Sequence, residues 1–238
     1  YGYHSLNLNN GMHDPTFCRE VIMYQICRRY MCAPKANFVK VYLNDAYWGV
    51  YINVQQPNKD MMKEWFRTND GNRYRGAPSG GQHWRAGLVY LGSTPASYST
   101  AYEFKQGDGT DLVNLCNVLN NTPLNQLQAA LPKVWSVDQG FRYCIIMNMF
   151  LQTDSYIGSG KDHFLYHDEV HDTFHIFPFD VNESLGGEGQ GNPNMSPFYN
   201  TTNAQKPILT RTLPLGDMRA RYVAHYRTVL EESFSWKE

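Results

Sequence analysis

Ten residues, FRYCIIMNMF from Phe141 to Phe150, are apolar on nearly every side of the helix they would form. A helix with one apolar stripe can lie on a surface, whereas one that is apolar all round has to be enclosed. The run falls within a longer helix expected over Ser136 to Leu151, where Ser136 and Gln139 have the spacing of a capping box. The rest of the chain is therefore expected to wrap this helix. Directly after it comes TDSYIGSGKDHFLYHDEVHDTFHIFPFDVNESLGG, Thr153 to Gly187. A short strand from His163 to Tyr166, a turn, DEVHD, and a second strand from Thr173 to Phe179 read as a hairpin. Asp154 follows the apolar run, Asp162 precedes the first strand, and Asp180 follows the second. A hairpin sets its strand ends side by side, so three carboxylates on its rims can converge. Magnesium takes oxygen ligands of this kind, with phosphates and water completing its shell.

The 238 residues suit one large domain, or one and a half, and 42% hydrophobic content excludes a disordered chain. The net charge of −1 and the lack of a Lys/Arg run offer no basic field for nucleic acid. No apolar stretch reaches the roughly 18 residues of a membrane span. No signal peptide is visible at Tyr1, and the abrupt opening YGYHSLNLNN suggests that an upstream part has been removed. Five cysteines, at 18, 27, 32, 116 and 144, form no Cys-x-x-Cys, which argues against a structural zinc site. Cys18, Cys116 and Cys144 fall in helix-like apolar patterns and are expected to be core thiols. The Tyr, Asn and Gly content leans towards an extracytoplasmic protein.

Three parts are expected within a single α+β domain. Residues 1–68 are strand-rich. Asp14-Pro15 starts a helix that runs to about Arg29, with Phe17, Val21, Ile22 and Ile26 as its stripe. Phe38–Leu43 and Tyr47–Val54 form a hairpin about Asn44-Asp45. Asn58 caps a helix through Phe66. Residues 69–109 make a loop or lid region. Its core, 68–87, holds five glycines, and Leu88–Leu91 and Tyr102–Lys105 read as short edge strands. Residues 110–238 are mainly helical, with helices over Thr110–Leu119 and Pro123–Leu131, a surface loop at 188–204, and a terminal helical part from KPILTRTL onwards.

No P-loop, nucleophile elbow or His-Glu-x-x-His is present, and no glycine cluster fits a dinucleotide fold. His163, His167, His171 and His175 recur every fourth residue, but across strand, turn and strand they share no face; they are expected as exposed hairpin histidines. Asp154, Asp162 and Asp180 each have a plain local reading as caps and turn formers. Against it stands the place of Asp180 at the mouth of a buried strand, where an unpaired carboxylate is costly.

The segments DPTFCRE, VKVYLNDAYWGVYINVQQPNKD, DSYIGSGKDHFLYHD, FPFDVNESLGG and PILTRTLPLGDMRARYVAHYRTVL together resemble the CotH family, the spore-coat-protein-H-like atypical protein kinases. The resemblance implies a protein-kinase-like fold, with a small strand-rich part, a larger helical part and the hairpin at the active site. It implies ATP with Mg2+ or Mn2+, and transfer of phosphate to Ser or Thr of a secreted, cell-surface or spore-coat protein. By the same analogy Asp154 is the catalytic residue that orients the acceptor hydroxyl, while Asp162 and Asp180 hold the metal. Lys105 lies near a family position that reaches phosphate, Gln55 would face the cleft, and Arg19 would pair with a site carboxylate.

Several positions depart from the family pattern. Gln55 stands where Glu is usual, Asp162 where Asn is usual, and Asn182-Glu183 where a second acidic residue is common. The family's upstream Arg-Gly-x-x-Ser-like motif and phosphate-gripping lysine have no match. These departures favour a rival reading, a catalytically inactive pseudokinase or surface-binding module; a metal-dependent hydrolase is a third.

Overall fold

The computed structural model describes residues 6–77, 83–186 and 191–235. The all-round apolar segment forms α5 (Val137–Met149), in which Phe141 and Tyr143 to Met147 are buried. It is enclosed as its composition requires. α1 (Arg19–Tyr30) and α7 (Gly216–Ser233) pack on it, as does strand β7 (Thr173–Pro178). The rings of Phe141 and Tyr222 meet edge to face at 5.6 Å. The capping box does not form, because Ser136 makes no side-chain cap. Gln139 reaches across to β7 instead. Its Oε1 accepts the Ile176 N–H at 3.1 Å and its Nε2 donates to the Ile176 carbonyl.

The described residues form two antiparallel sheets and seven α-helices. The first sheet runs β1 (Asn7–Asn9), β3 (Ala46–Val54), β2 (Ala36–Leu43). Asn44 and Asp45 have φ of 50° and 64°, the doubly left-handed turn that continues strand twist in a two-residue hairpin. α2 (Lys59–Trp65) starts where expected, with the Asn58 side chain accepting from the N–H groups of Asp60 and Met61. α1 starts later than expected. Asp14 accepts the N–H of Thr16 at 3.0 Å and of Arg19 at 2.9 Å, so it holds a turn that delays the helix by four residues. Met23, Tyr24 and Cys27 face the core, and Ile22 is exposed.

The second sheet runs β5 (Tyr102–Gln106), β4 (Arg73–Gly76), β6 (His163–Asp168), β7. β4 corrects the expected loop at 68–87, since it lies inside the sheet, paired on both sides. Its four residues, Arg73–Gly76, are too few to display alternation. The lid expectation also covers residues 78–82, which lie outside the described residues. β5 is an edge strand as expected. Leu88–Leu91 is no strand: Leu88 has φ of 64° and its N–H bonds the Tyr102 hydroxyl at 3.1 Å. α3 (Thr110–Asn121), α4 (Leu124–Ala130) and α6 (Pro207–Thr212) complete the helical side. No described helix is long and apolar enough to cross a membrane.

Candidate active site

The β6–β7 hairpin pairs His163 with Pro178, which sets Asp162 and Phe179 opposite each other at its open end. The Asp162 N–H donates to the Gly76 carbonyl at 3.1 Å, and the Phe179 N–H to the Asp162 carbonyl at 3.3 Å. Both strands then turn abruptly: Asp162 and Asp180 each have φ of 53°. Aspartate and asparagine tolerate this left-handed conformation better than other side chains bearing a Cβ. A third segment is tied in by Gln152, which is fully buried. Its Nε2 donates to the carbonyls of Asp154 and Asp180, each at 3.2 Å.

The three expected aspartates consequently line one cleft of about 440 Å³, together with Glu183, Arg75 and Lys161. The Lys161 ammonium lies 2.8 Å from Asp154 Oδ2 and 3.3 Å from Asp162 Oδ2. Asp162 is 8% exposed. Its burial pushes its carboxyl up to about 7; Lys161 opposes the rise, and Asp154 and Asp180 add to it. The protein around Asp180 also raises its carboxyl, with Arg75 opposing and Asp154 reinforcing. Asp180 is exposed to the cleft, however, so water screens much of that cost. The costly buried carboxylate is therefore that of Asp162, not of Asp180. The Arg75 guanidinium is stacked over the Phe179 ring at 4.6 Å and stands 3.9 Å from Glu103.

Asp180 also borders two further hollows, of about 450 and 180 Å³, and Glu20 lines both. Glu20 is buried, and each of its oxygens accepts from Asn9 Nδ2 at 3.0 Å. Burial raises its carboxyl to about 7 despite Asn9, with Asp180 and Asp14 contributing.

Other expected residues lie elsewhere. Lys105 pairs with Glu103 at 2.5 Å on edge strand β5 and does not line the cleft. Gln55 accepts the Lys35 N–H at 3.1 Å and donates to Glu64 at 2.9 Å, beside the Lys35–Glu64 ion pair. Its neighbour Gln56, which like Gln55 lies just beyond the end of β3, lines the smaller hollow with Glu20 and Asp180. Arg19 donates to the His13 carbonyl at 2.8 Å and stands 3.8 Å from Asp14, leaving Glu20 as the residue of that helix near the site. The hairpin histidines are not uniformly exposed. His163 is fully buried, and burial pushes its ring down to about 4. His167 bridges Asp111 at 2.8 Å and Asp172 at 3.0 Å. His175 packs on Phe66 at 4.9 Å. Of the cysteines, Cys116 and Cys144 are core thiols as expected; Cys27 and Cys32 join them, while Cys18 is partly exposed.

Among the described residues, no three His, Cys, Asp or Glu side chains are drawn together closely enough to hold a metal ion. Lys161 occupies the ground between Asp154 and Asp162. The donor set is nonetheless suited to a hard cation: carboxylate oxygens, one of them on a buried group whose ionisation burial opposes. A divalent ion held by Asp162 and Asp180 would relieve that opposition. Sequence reasoning did not single out Lys161, Arg75, Glu20 or Gln152. Lys161 carried a signal, since it directly precedes Asp162.

Fold and site together define an α+β domain with an acidic, oxygen-rich cleft at the open end of a hairpin. The chain belongs to the CotH kinase protein family, whose model matches residues 1–238, the whole of its length. No curated protein matches it.

Proposed function

We propose that the protein transfers the γ-phosphoryl group of ATP, with Mg2+ or Mn2+, to a Ser or Thr hydroxyl of an extracytoplasmic or coat protein. The observation that carries this reading is the convergence of Asp154, Asp162 and Asp180 on one cleft that also holds two cationic side chains. Family membership supports it, and with it a protein-kinase-like arrangement of the two sheets and the helical part. Phosphoryl transfer asks a protein mainly for positioning and charge neutralisation. In this reading Asp162 and Asp180 hold the metal, which neutralises phosphate charge when bound. Asp154 orients the acceptor hydroxyl and receives its proton. Arg75, pinned on Phe179, keeps a fixed positive charge towards Asp180 and the phosphates. Gln152 keeps the Asp154 loop and the Asp180 turn at a set separation.

Radiolabelled ATP incubated with the protein and candidate acceptor proteins tests the reading, with Asp180→Ala as control. Labelling by the wild type that the substitution abolishes is expected; equal labelling by both would defeat it. Beside the departures from the family pattern, the structure adds one observation in favour of the pseudokinase or binding-module reading, the ammonium seated between two of the three carboxylates. In thermal-shift titration, a domain stabilised by neither nucleotide nor metal fits the binding module, while one that is stabilised yet labels no acceptor fits the pseudokinase.

A further inference from the structure

Lys161 is the one ammonium among the described residues lining the cleft, and it touches two carboxylates with different proposed tasks. We propose that Lys161 is a catalytic residue that exchanges partners: it holds Asp154 and Asp162 until nucleotide and metal arrive, then carries its charge to the phosphoryl group in transfer. The proposal rests on the phosphoryl-transfer reading above and adds a named group to it.

The charge balance of the cleft leads there. Among the described residues, four carboxylates, Asp154, Asp162, Asp180 and Glu183, face two cations, Arg75 and Lys161. A divalent ion at Asp162 and Asp180 offsets the excess, and Lys161 is then no longer needed at Asp162. A nucleotide brings new negative charge that the ion alone does not cover. Of the two cations only Lys161 is placed to follow it. Arg75 is fixed by Phe179 and by neighbouring strand β5. Lys161 stands on the loop before β6 with its side chain 33% exposed, on a flexible four-carbon stem.

Position agrees with charge. The group in transfer lies between the carboxylate that receives the acceptor proton and the carboxylate that holds metal. An ammonium within 2.8 Å of the first and 3.3 Å of the second already occupies that ground. In the step, the bond from the γ-phosphorus to the β,γ-bridging oxygen breaks, and the bridging oxygen leaves with ADP. A bond from the acceptor hydroxyl oxygen to phosphorus forms, and the hydroxyl proton passes to Asp154. Lys161, relieved of its carboxylates, donates N–H bonds to the oxygens on which charge is spread.

The test uses Lys161→Met and Lys161→Arg. Mn2+ binding to nucleotide-free protein is read by electron paramagnetic resonance, phosphoryl transfer from ATP to acceptor protein by radiolabel, and folding by circular dichroism. Removing the competing ammonium should let Lys161→Met bind Mn2+ tighter, by about tenfold or more. Its kcat should fall by roughly a hundredfold or more. Lys161→Arg, which keeps the charge, should recover part of kcat and bind Mn2+ as the wild type does. Looser Mn2+ binding by Lys161→Met together with lost turnover would make Lys161 a structural prop and overturn the proposal. Wild-type labelling matched by equal labelling from Lys161→Met overturns this proposal alone. A wild type that labels no acceptor overturns the reaction reading, and this proposal with it.

Discussion

Replacing Asp162 by Asn should stabilise the metal-free protein at alkaline pH while weakening its hold on metal. The carboxyl stands at about 7 in the fold against an ordinary 3.8, raised first by burial. A group whose folded pKa is raised favours the fold below its unfolded pKa, and that contribution is lost as pH climbs through the folded value. For Asp162 the window runs from about 4 to about 7. Above it, forcing the buried group to ionise costs about 4 kcal/mol, from 1.36 kcal/mol per pKa unit. Lys161 keeps Asp154 as a partner when Asp162 is neutral, so little of the gain is given back. Asparagine also accepts the left-handed backbone at this position, where φ is 53°. Urea unfolding in the presence of a chelator should therefore find Asp162→Asn more stable than wild type by about 2–4 kcal/mol at pH 8. At pH 4 the two should nearly coincide. With Mn2+ added, the order should narrow or reverse, because the wild type gains binding energy that the variant has given up. A variant less stable than wild type at pH 8, or a gap equal at both pH values, would refute the reasoning.

Gln152→Leu strips the donor from two backbone carbonyls, Asp154 and Asp180. Leaving them unpaired should lower stability by about 2–4 kcal/mol in urea and loosen Mn2+ binding as the two loops separate. Asn58→Ala removes the side-chain cap of α2 and should cost about 1 kcal/mol with metal binding unchanged. Lys105→Ala breaks only an exposed pair with Glu103, so unfolding should stay within about 0.5 kcal/mol and phosphoryl transfer should be unaffected.

Some elements announce themselves locally. α5 was legible because ten nearly unbroken apolar residues leave no solvent-facing side. The β2–β3 hairpin was legible because Asn-Asp between β-branched and aromatic runs allows few other backbones. The meeting of Asp162 and Asp180 followed from hairpin geometry, since both rims of β6–β7 come to one end, whereas Asp154 reaches them from a segment outside the hairpin, held there by Gln152. Other features depend on partners distant in the chain. β4 is a strand because β5 and β6 flank it, and four residues cannot carry that information alone. Gln139 has the spacing of a cap yet serves β7, because a buried strand edge offers an amide both a donor and an acceptor. Gln55 and Gln56 differ only in what they reach once β3 ends. Gln152 looks like any helix-end amide until Asp180, far along the chain, is brought beside it.

The thiols offer a practical return. No sulfur is bridged: four of the five cysteines are buried, and Cys18 alone is partly exposed. A soluble alkylating reagent should thus mark a single site on intact molecules, and the other four only as chains come apart. Mass gained over time then serves as a built-in clock for global opening, with no label engineered into the protein.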